Sequence, residues 1–170
     1  MRWPSCQIQC VSIAVTRPGE IWKLGRHRLL CGDARDPAVY ERLLEGRAAD
    51  LIFTDPPYNV PIGGNVCGLG RTQHREFAMA SGEMSRSEFR TFLTQTLGAC
   101  AAVSRDGAVH YVCMDWRHMD EVSASASGVY GELLNLCVWN KSNAGMGSLY
   151  RSKHELVFVY RVGSEQHFNA

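Results

Sequence analysis

The apolar residues at positions 51–53 are followed, after one threonine, by the sequence Asp-Pro-Pro-Tyr at residues 55–58. Three apolar residues are too few for a helix and are typical of a fully buried strand in a parallel sheet. The two prolines lack the N–H group that a further ladder hydrogen bond needs, so the chain must turn after Thr54. Asp55 and Tyr58 are therefore expected at the carboxyl end of a strand, where open α/β sheets bind their ligands.

The remaining sequence alternates between strand-like and helical patterns, which predicts an α/β fold. Asp36 caps a predicted helix over residues 37–44, and Ser85 begins a helix over residues 85–102 with Glu88 completing a capping box. The other predicted elements are a helix near 116–125 and strands near 28–32, 50–54, 108–114, 133–139 and 155–160. The last two strands are expected to form an antiparallel pair at one end of the sheet.

The composition is typical of a single intracellular domain. Apolar residues make up 45% of the 170 residues, and no stretch approaches the roughly 18 apolar residues of a membrane span. The seven cysteines have irregular spacings without a Cys-x-x-Cys pair, which indicates reduced thiols and a cytoplasmic location. Cys31, Cys113 and Cys137 lie in apolar runs and are expected to be buried. The histidines lack ligand spacing, so no metal site is predicted.

Asp-Pro-Pro-Tyr at residues 55–58 resembles the catalytic motif of the DNA amino-methyltransferases, which transfer a methyl group from S-adenosylmethionine to the exocyclic nitrogen of adenine or cytosine. Taken alone, the tetrapeptide is equally typical of a turn. The apolar strand before it, an upstream Gly-Asp pair and Asn59 favour the catalytic interpretation. Other segments that resemble this family are residues 22–33, 112–118, 139–141 and 154–158.

These segments are similar to prokaryotic and phage DNA methylases of the permuted type, in which the catalytic motif precedes the cofactor loop. The resemblance implies a Rossmann-like S-adenosylmethionine-dependent methyltransferase fold. Residues 1–16 are then an N-terminal extension, and residues 17–170 a partial catalytic domain. The resemblance further implies that the sequence is truncated before the Phe-x-Gly-x-Gly cofactor loop, and this truncation is expected to leave unpaired strand edges at the centre of the sheet.

The resemblance also implies a role for each residue of the motif. The amino group of a nucleobase is a poor nucleophile, because its lone pair is delocalised into the ring. Asp55 and the carbonyl of Pro56 would each accept one N–H, which localises the lone pair and stabilises the developing positive charge. Pro57 belongs to the same rigid turn. Tyr58 offers a ring on which an extruded base stacks, worth roughly 1–3 kcal/mol against a flipping cost of a few kcal/mol.

The cofactor implied by the resemblance is S-adenosylmethionine, with Asp55 next to it at the catalytic edge. Asp33, after the Leu-Leu-Cys-Gly run, resembles the residue that flanks the adenine of this cofactor, although a cap on the next turn accounts for Asp33 equally well. The glycine pairs at 68–70 and 145–147 do not follow a buried strand that ends in phenylalanine, so we interpret both as loops.

The net charge of +1 means that any DNA-binding surface must be local. Two basic clusters lie near the predicted catalytic edge, and ordinary solvated surface is an equally good interpretation of each: Arg71, His74 and Arg75, and Lys141, Arg151 and Lys153. The predicted partner is double-stranded DNA with a flipped target base, with no membrane. Whether the chain also forms a homo-oligomer or associates with a complementing chain stays open.

Methylation of adenine N6 is the leading predicted reaction, and cytosine N4 the second. Methylation of an RNA base or a protein amide uses a similar motif, but the later Trp-x-Lys and His-Glu segments disfavour it. Methylation at carbon 5 of cytosine is disfavoured because it needs a nucleophilic cysteine, and no Pro-Cys pair occurs. An inactive, truncated DNA-associating fragment is the non-enzymatic alternative.

Overall fold

The computed structural model describes residues 15–63, 75–142 and 149–167. The elements in these ranges are β1 (Ile21–Leu24), β2 (His27–Leu30), α1 (Pro37–Leu44), β3 (Ala49–Thr54), α2 (Arg86–Ala102), β4 (Ser104–Met114), a 3-10 turn (Trp116–His118), α3 (Met119–Ala126), β5 (Glu132–Asn140) and β6 (His154–Arg161). The predicted α/β class and its predicted helices and strands are confirmed, while β1 is an addition. None of the described helices has the length and apolarity to cross a bilayer.

The main sheet has the strand order β3-β4-β6-β5, and β1 and β2 form a separate two-stranded sheet. β3 runs parallel to β4, whereas β6 is antiparallel to both β4 and β5. The predicted antiparallel pair at one end of the sheet is thus confirmed. Because of these directions, the ends of β3, β4 and β5 meet the start of β6 at one edge, which we call the carboxyl edge.

The hydrophobic core lies between one face of the main sheet and helices α2 and α3. Five side chains spaced along one face of α2 are all buried: Phe89, Phe92, Leu93, Thr96 and Leu97. They meet alternate residues of β4 and β6, including Met114 and Phe158. Each fully buried leucine or phenylalanine contributes roughly 1.5–3 kcal/mol. The two phenylalanines of α2 are therefore core residues.

The expected burial of the strand before the motif is wrong, although its parallel pairing is right. Leu51 is 56% exposed and Phe53 is 65% exposed. The reason is that β3 is an edge strand: among the described residues, β4 is its only partner. Phe53 stacks against Tyr111 of β4 at a centroid distance of 6.3 Å, and its other side is open.

The burial predicted for three cysteines holds for only one of them. Cys113 is 3% exposed near the carboxyl end of β4, an inner strand of the sheet, but Cys31 and Cys137 are exposed. Cys31 directly follows β2 in the small separate sheet, and Cys137 lies on the outer strand β5. An apolar run predicts a strand, but burial also depends on whether both faces of that strand are covered.

A buried polar chain links β4 to the segment after α3. The Ser104 hydroxyl donates to the Cys100 carbonyl at 2.8 Å. Ser104 Oγ therefore accepts from His110 Nε2 at 2.8 Å, and His110 Nδ1 accepts from the Tyr130 hydroxyl at 2.9 Å. His110 is fully buried, and burial lowers the pKa of its imidazole to about 4. A neutral imidazole is therefore the form that this fold requires.

Candidate active site

The Asp-Pro-Pro-Tyr motif forms the turn that leaves β3 at the carboxyl edge, as the sequence predicted. Thr54, the last residue of β3, pairs with Val112 of β4. Asp55 is exposed, Pro56 is buried and Tyr58 is half-buried. The carboxylate therefore faces solvent at the end of a parallel strand, where a ligand can reach it.

Asp55 and Tyr58 are joined by a short hydrogen bond. The Tyr58 hydroxyl donates to Asp55 Oδ1 at 2.6 Å. Burial, followed by this hydrogen bond and the Asp55 charge, raises the pKa of Tyr58 well above its ordinary value, so the hydroxyl stays protonated as a donor. The contact orients the carboxylate and leaves its second oxygen for another donor. This contact was not predicted from the sequence, although the three-residue spacing of Asp55 and Tyr58 across a tight turn was the available signal.

Asn59 fixes the turn to the segment that leads into α2. Its backbone adopts a φ of 54°, which asparagine tolerates better than most residues. Asn59 Nδ2 donates to the Met84 carbonyl at 2.8 Å, and Asn59 Oδ1 accepts from the backbone N–H groups of Gly82 and Met84 at 3.1 and 3.2 Å. The position of the motif is thus set by side-chain contacts as well as by β3.

Glu76 forms hydrogen bonds with the backbone of the segment that follows the motif. The carboxylate of Glu76 accepts from the backbone N–H groups of Ile62 and Gly63, each at 2.9 Å. These bonds lower the pKa of Glu76. Glu76 thus joins Ile62 and Gly63 to the segment that precedes α2.

Among the described residues, the strand ends at the carboxyl edge bring together the carboxylates of Asp55, Asp115 and Glu155. Asp115 forms an ion pair with Arg117 at 2.8 Å, and Glu155 forms one with Lys141 at 2.9 Å. Asp55 has no such cation among the residues that the structure describes, and its carboxylate accepts from the neutral Tyr58 hydroxyl. Asp55 is therefore the carboxylate at this edge whose charge is available to a positively charged group.

A family model for DNA methylases, of the N6 and N4 type, matches residues 49–170, from the start of β3 onward. The chain belongs to the N6/N4 DNA methylase family. The matched region contains the motif and all of the main sheet, so the site described above lies within the part that defines the family.

Two solved structures are similar to this methylase chain. One is the M1.HpyAVI–SAM complex, with a TM-score of 0.49 and 11% identity, covering 77% of this chain and 53% of that one. The other is TTHA0409 from Thermus thermophilus, named as a DNA modification methylase, with a TM-score of 0.49 and 14% identity, covering 82% and 54% of the two chains. The chain thus spans about half the length of each.

The methylase chain places a thiol beside its motif. Cys113 is buried, and burial, followed by the charges of Asp55 and Glu155, raises the pKa of its thiol to about 11. A thiol with so high a pKa is not ionised at neutral pH and is a poor nucleophile. Cys113 is therefore not suited to the covalent attack that methylation at carbon 5 of cytosine needs.

Asp33 follows β2 and is held by Arg35. Its carboxylate accepts from Arg35 Nε at 3.0 Å and Nη2 at 2.6 Å, which lowers the pKa of Asp33 to about 2. Asp33 lines a pocket of about 560 Å³ together with Gly98 and Ala102 of α2. The cofactor role of Asp33 stays a prediction, and its carboxylate is already engaged.

The predicted DNA-binding residues are only partly described. Arg71, like the glycine pairs at 68–70 and 145–147, lies outside the described residues. Arg75 is exposed beside Glu76. Lys141 and Arg151 lie at the carboxyl edge, directly after β5 and shortly before β6, so these two basic residues share an edge with Asp55. Lys141 is half-buried, whereas Arg151 is exposed.

Proposed function

We propose that the chain carries the catalytic motif of a DNA amino-methyltransferase that methylates adenine N6 in double-stranded DNA, with the target base flipped out of the stack. The observation that carries this proposal is the exposed Asp55 carboxylate, which is oriented by Tyr58 and has no ion-pair partner among the described residues. Membership of the N6/N4 DNA methylase family supports the same chemistry.

Asp55 acts on the amino group of the flipped base. One N–H of that group donates to the second carboxylate oxygen of Asp55, while Oδ1 remains bonded to Tyr58. The lone pair of nitrogen then becomes more localised, and the Asp55 charge stabilises the positive charge that develops as the N–C bond forms. The S–CH3 bond of the methyl donor would break as the N–C bond forms, and the donor would leave as a neutral thioether. The nitrogen then gives one proton to solvent water, which restores the neutral amine.

Pro56, Pro57 and Tyr58 complete the proposed pocket. The Pro56 carbonyl accepts the second N–H of the amino group, and Pro57 keeps the turn rigid. Tyr58 uses its hydroxyl for Asp55, which leaves a face of its ring for the base. Because stacking of roughly 1–3 kcal/mol only offsets the cost of flipping, the two hydrogen bonds decide which base stays in the pocket.

S-adenosylmethionine fits this edge through Asp55. When bound, it supplies the methyl group from a positively charged sulfonium, which an unpaired carboxylate favours. Asp33 fits less well, because Arg35 occupies both of its oxygens. The open edge of β3 supports the further proposal that an additional strand, from a complementing chain or from other residues, completes the sheet beside the cofactor.

Methylation of cytosine N4 is the second candidate, because the family covers both amino groups and the Asp55 chemistry is the same for each. Transfer of tritium from labelled S-adenosylmethionine to plasmid DNA separates the two. We expect label in N6-methyladenine, and loss of that label in Asp55→Ala. Asp50→Ala is the matched control, since Asp50 is an exposed carboxylate of the same strand that pairs with Arg105.

Label in N4-methylcytosine would instead support the second candidate. Label only in RNA or protein, no label in DNA, or DNA label that Asp55→Ala leaves unchanged would each contradict the proposal.

A further inference from the structure

Lys141 and Glu155 form an ion pair that the sheet holds at the carboxyl edge. Lys141 Nζ lies 2.9 Å from Glu155 Oε1, and both side chains are half-buried. Lys141 directly follows β5, and its backbone N–H donates to the Lys153 carbonyl at 2.7 Å. Glu155 lies within β6, opposite Trp139. The backbone of each partner is thus fixed by the β5–β6 ladder.

The pair lies beside the motif. In the register of the sheet, Leu156 pairs with Met114, the last residue of β4, so Glu155 lies at the end of β4. The Glu155 charge contributes, after burial and the charge of Asp55, to the raised pKa values of Tyr58 and Cys113. Lys141 therefore holds a positive charge near the surface on which the extruded base is proposed to lie.

The two cations that form ion pairs at this edge, Arg117 and Lys141, are held differently. The Arg117 guanidinium bonds to Asp115 and lies 5.0 Å from the centroid of the Trp116 ring, so Asp115 and the indole both engage it. The Lys141 ammonium has three N–H donors, and its hydrogen bond to Glu155 uses one of them. Lys141 can thus bind an anion without leaving Glu155.

The charge balance of the edge favours a phosphate as that anion. A DNA strand that brings a base to Asp55 carries its own negative charges toward this carboxylate, which pairs with no cation among the described residues, and like charges repel. The Lys141 ammonium beside the motif offsets this repulsion at one place along the strand.

We propose, on the basis of the methyl-transfer function proposed above, that Lys141 binds a phosphate flanking the flipped nucleotide and that Glu155 is a positioning residue that holds the Lys141 ammonium there. Lys141 then does more than add affinity for DNA in general, because it sets where the strand lies relative to Asp55. Correct placement of a substrate affects the rate of reaction more than its binding.

Binding of two short duplexes tests the phosphate contact without relying on activity. Both contain one unpaired adenine, and in one duplex the phosphates that flank this adenine are uncharged methylphosphonates. We expect the wild-type chain to bind the charged duplex about 10-fold more tightly, and Lys141→Met to lose this preference and to lower the salt dependence by about one ion. Equal wild-type affinity for both duplexes, or a preference kept in Lys141→Met, would overturn the proposal.

Glu155→Gln tests positioning, with Glu132→Gln as the matched control. Glu132 pairs with Arg161 at 3.0 Å between the same two strands, at the opposite edge. We expect Glu155→Gln to bind the charged duplex at least as tightly as the wild type, because one negative charge is removed, but to transfer methyl groups about 10-fold more slowly in a single turnover, because the Lys141 ammonium is no longer held in place. Glu132→Gln should behave as the wild type.

Unchanged urea midpoints in both glutamine variants would separate positioning from folding. A wild-type transfer rate in Glu155→Gln would contradict its positioning role. If the wild type distinguishes the two duplexes but methylates no DNA, the methyl-transfer function fails while the phosphate contact stands.

Discussion

The Tyr58 hydroxyl donates a 2.6 Å hydrogen bond to Oδ1 of Asp55. Tyr58 therefore contacts the Asp55 carboxylate through its hydroxyl group and not through its ring. The two functions proposed for Tyr58 are therefore separable, because the hydroxyl contacts Asp55 while the ring is the proposed stacking face. Since the pKa of Tyr58 is raised, mainly by burial, the hydroxyl remains a donor at neutral pH.

Tyr58→Phe should separate these two functions. The variant keeps the ring but removes a hydrogen bond to a charged group, which is worth about 1.5–3 kcal/mol. We expect the single-turnover rate of methyl transfer to fall roughly 10-fold or more, with little change in affinity for DNA that contains an unpaired adenine. Tyr58→Leu should lose affinity as well. A wild-type rate in Tyr58→Phe would show that the hydroxyl does not orient Asp55.

Gly82→Ala should destabilise the segment that holds the motif. Gly82 has a φ of 101°, and a Cβ built there would lie 2.7 Å from Cδ of Pro61. We expect a loss of about 1–3 kcal/mol in the free energy of unfolding, measured in urea. Gly128→Ala is the matched control, because a Cβ at Gly128 meets nothing within 4 Å. Equal stability of the two variants would contradict the geometry of this turn.

His110 should make stability depend on pH. Burial lowers the pKa of its imidazole from 6.5 to about 4, so the unfolded chain binds this proton at a higher pH than the folded chain does. The stability due to neutral His110 is therefore present above pH 6.5 and is lost as the pH falls from 6.5 to about 4, by up to about 3 kcal/mol.

Urea unfolding of His110→Gln across this range provides the measurement. We expect the variant to be less stable at pH 7 but to lose less stability than the wild type as the pH falls. His154→Gln replaces an exposed histidine and should follow the wild-type pH profile. A His110→Gln profile as steep as that of the wild type would show that another group causes the dependence.

Local signals predicted the elements of this fold well. Asp36, Ser85 and Glu88 marked the two helix starts, because capping is a contact between residues close in sequence. The exposure of Phe53 and Cys137 was not predictable from their apolar runs, because it depends on which strands end up at the edges of the sheet.

The candidate site also has features that local sequence predicts and features that depend on the three-dimensional fold. Asp55 was placed correctly at the end of a strand, because two prolines must end the pairing of that strand. The ion pairs of Asp115 and Glu155 depend on where side chains lie in three dimensions. The Lys141–Glu155 pair, for example, joins the residue after β5 to a residue of β6. A pattern along the sequence carries no such distances, so it could not show that Asp55 is the carboxylate left without a cation.

Single-turnover methyl transfer by Asp55→Asn tests the central claim most directly. This change keeps the size of the side chain and removes the charge that is proposed to stabilise the developing positive nitrogen. We expect the rate to fall about 10²–10³-fold, while affinity for the duplex with an unpaired adenine changes by less than about 3-fold. A variant that transfers methyl groups within about 3-fold of the wild-type rate would contradict the claim that the Asp55 charge drives the reaction.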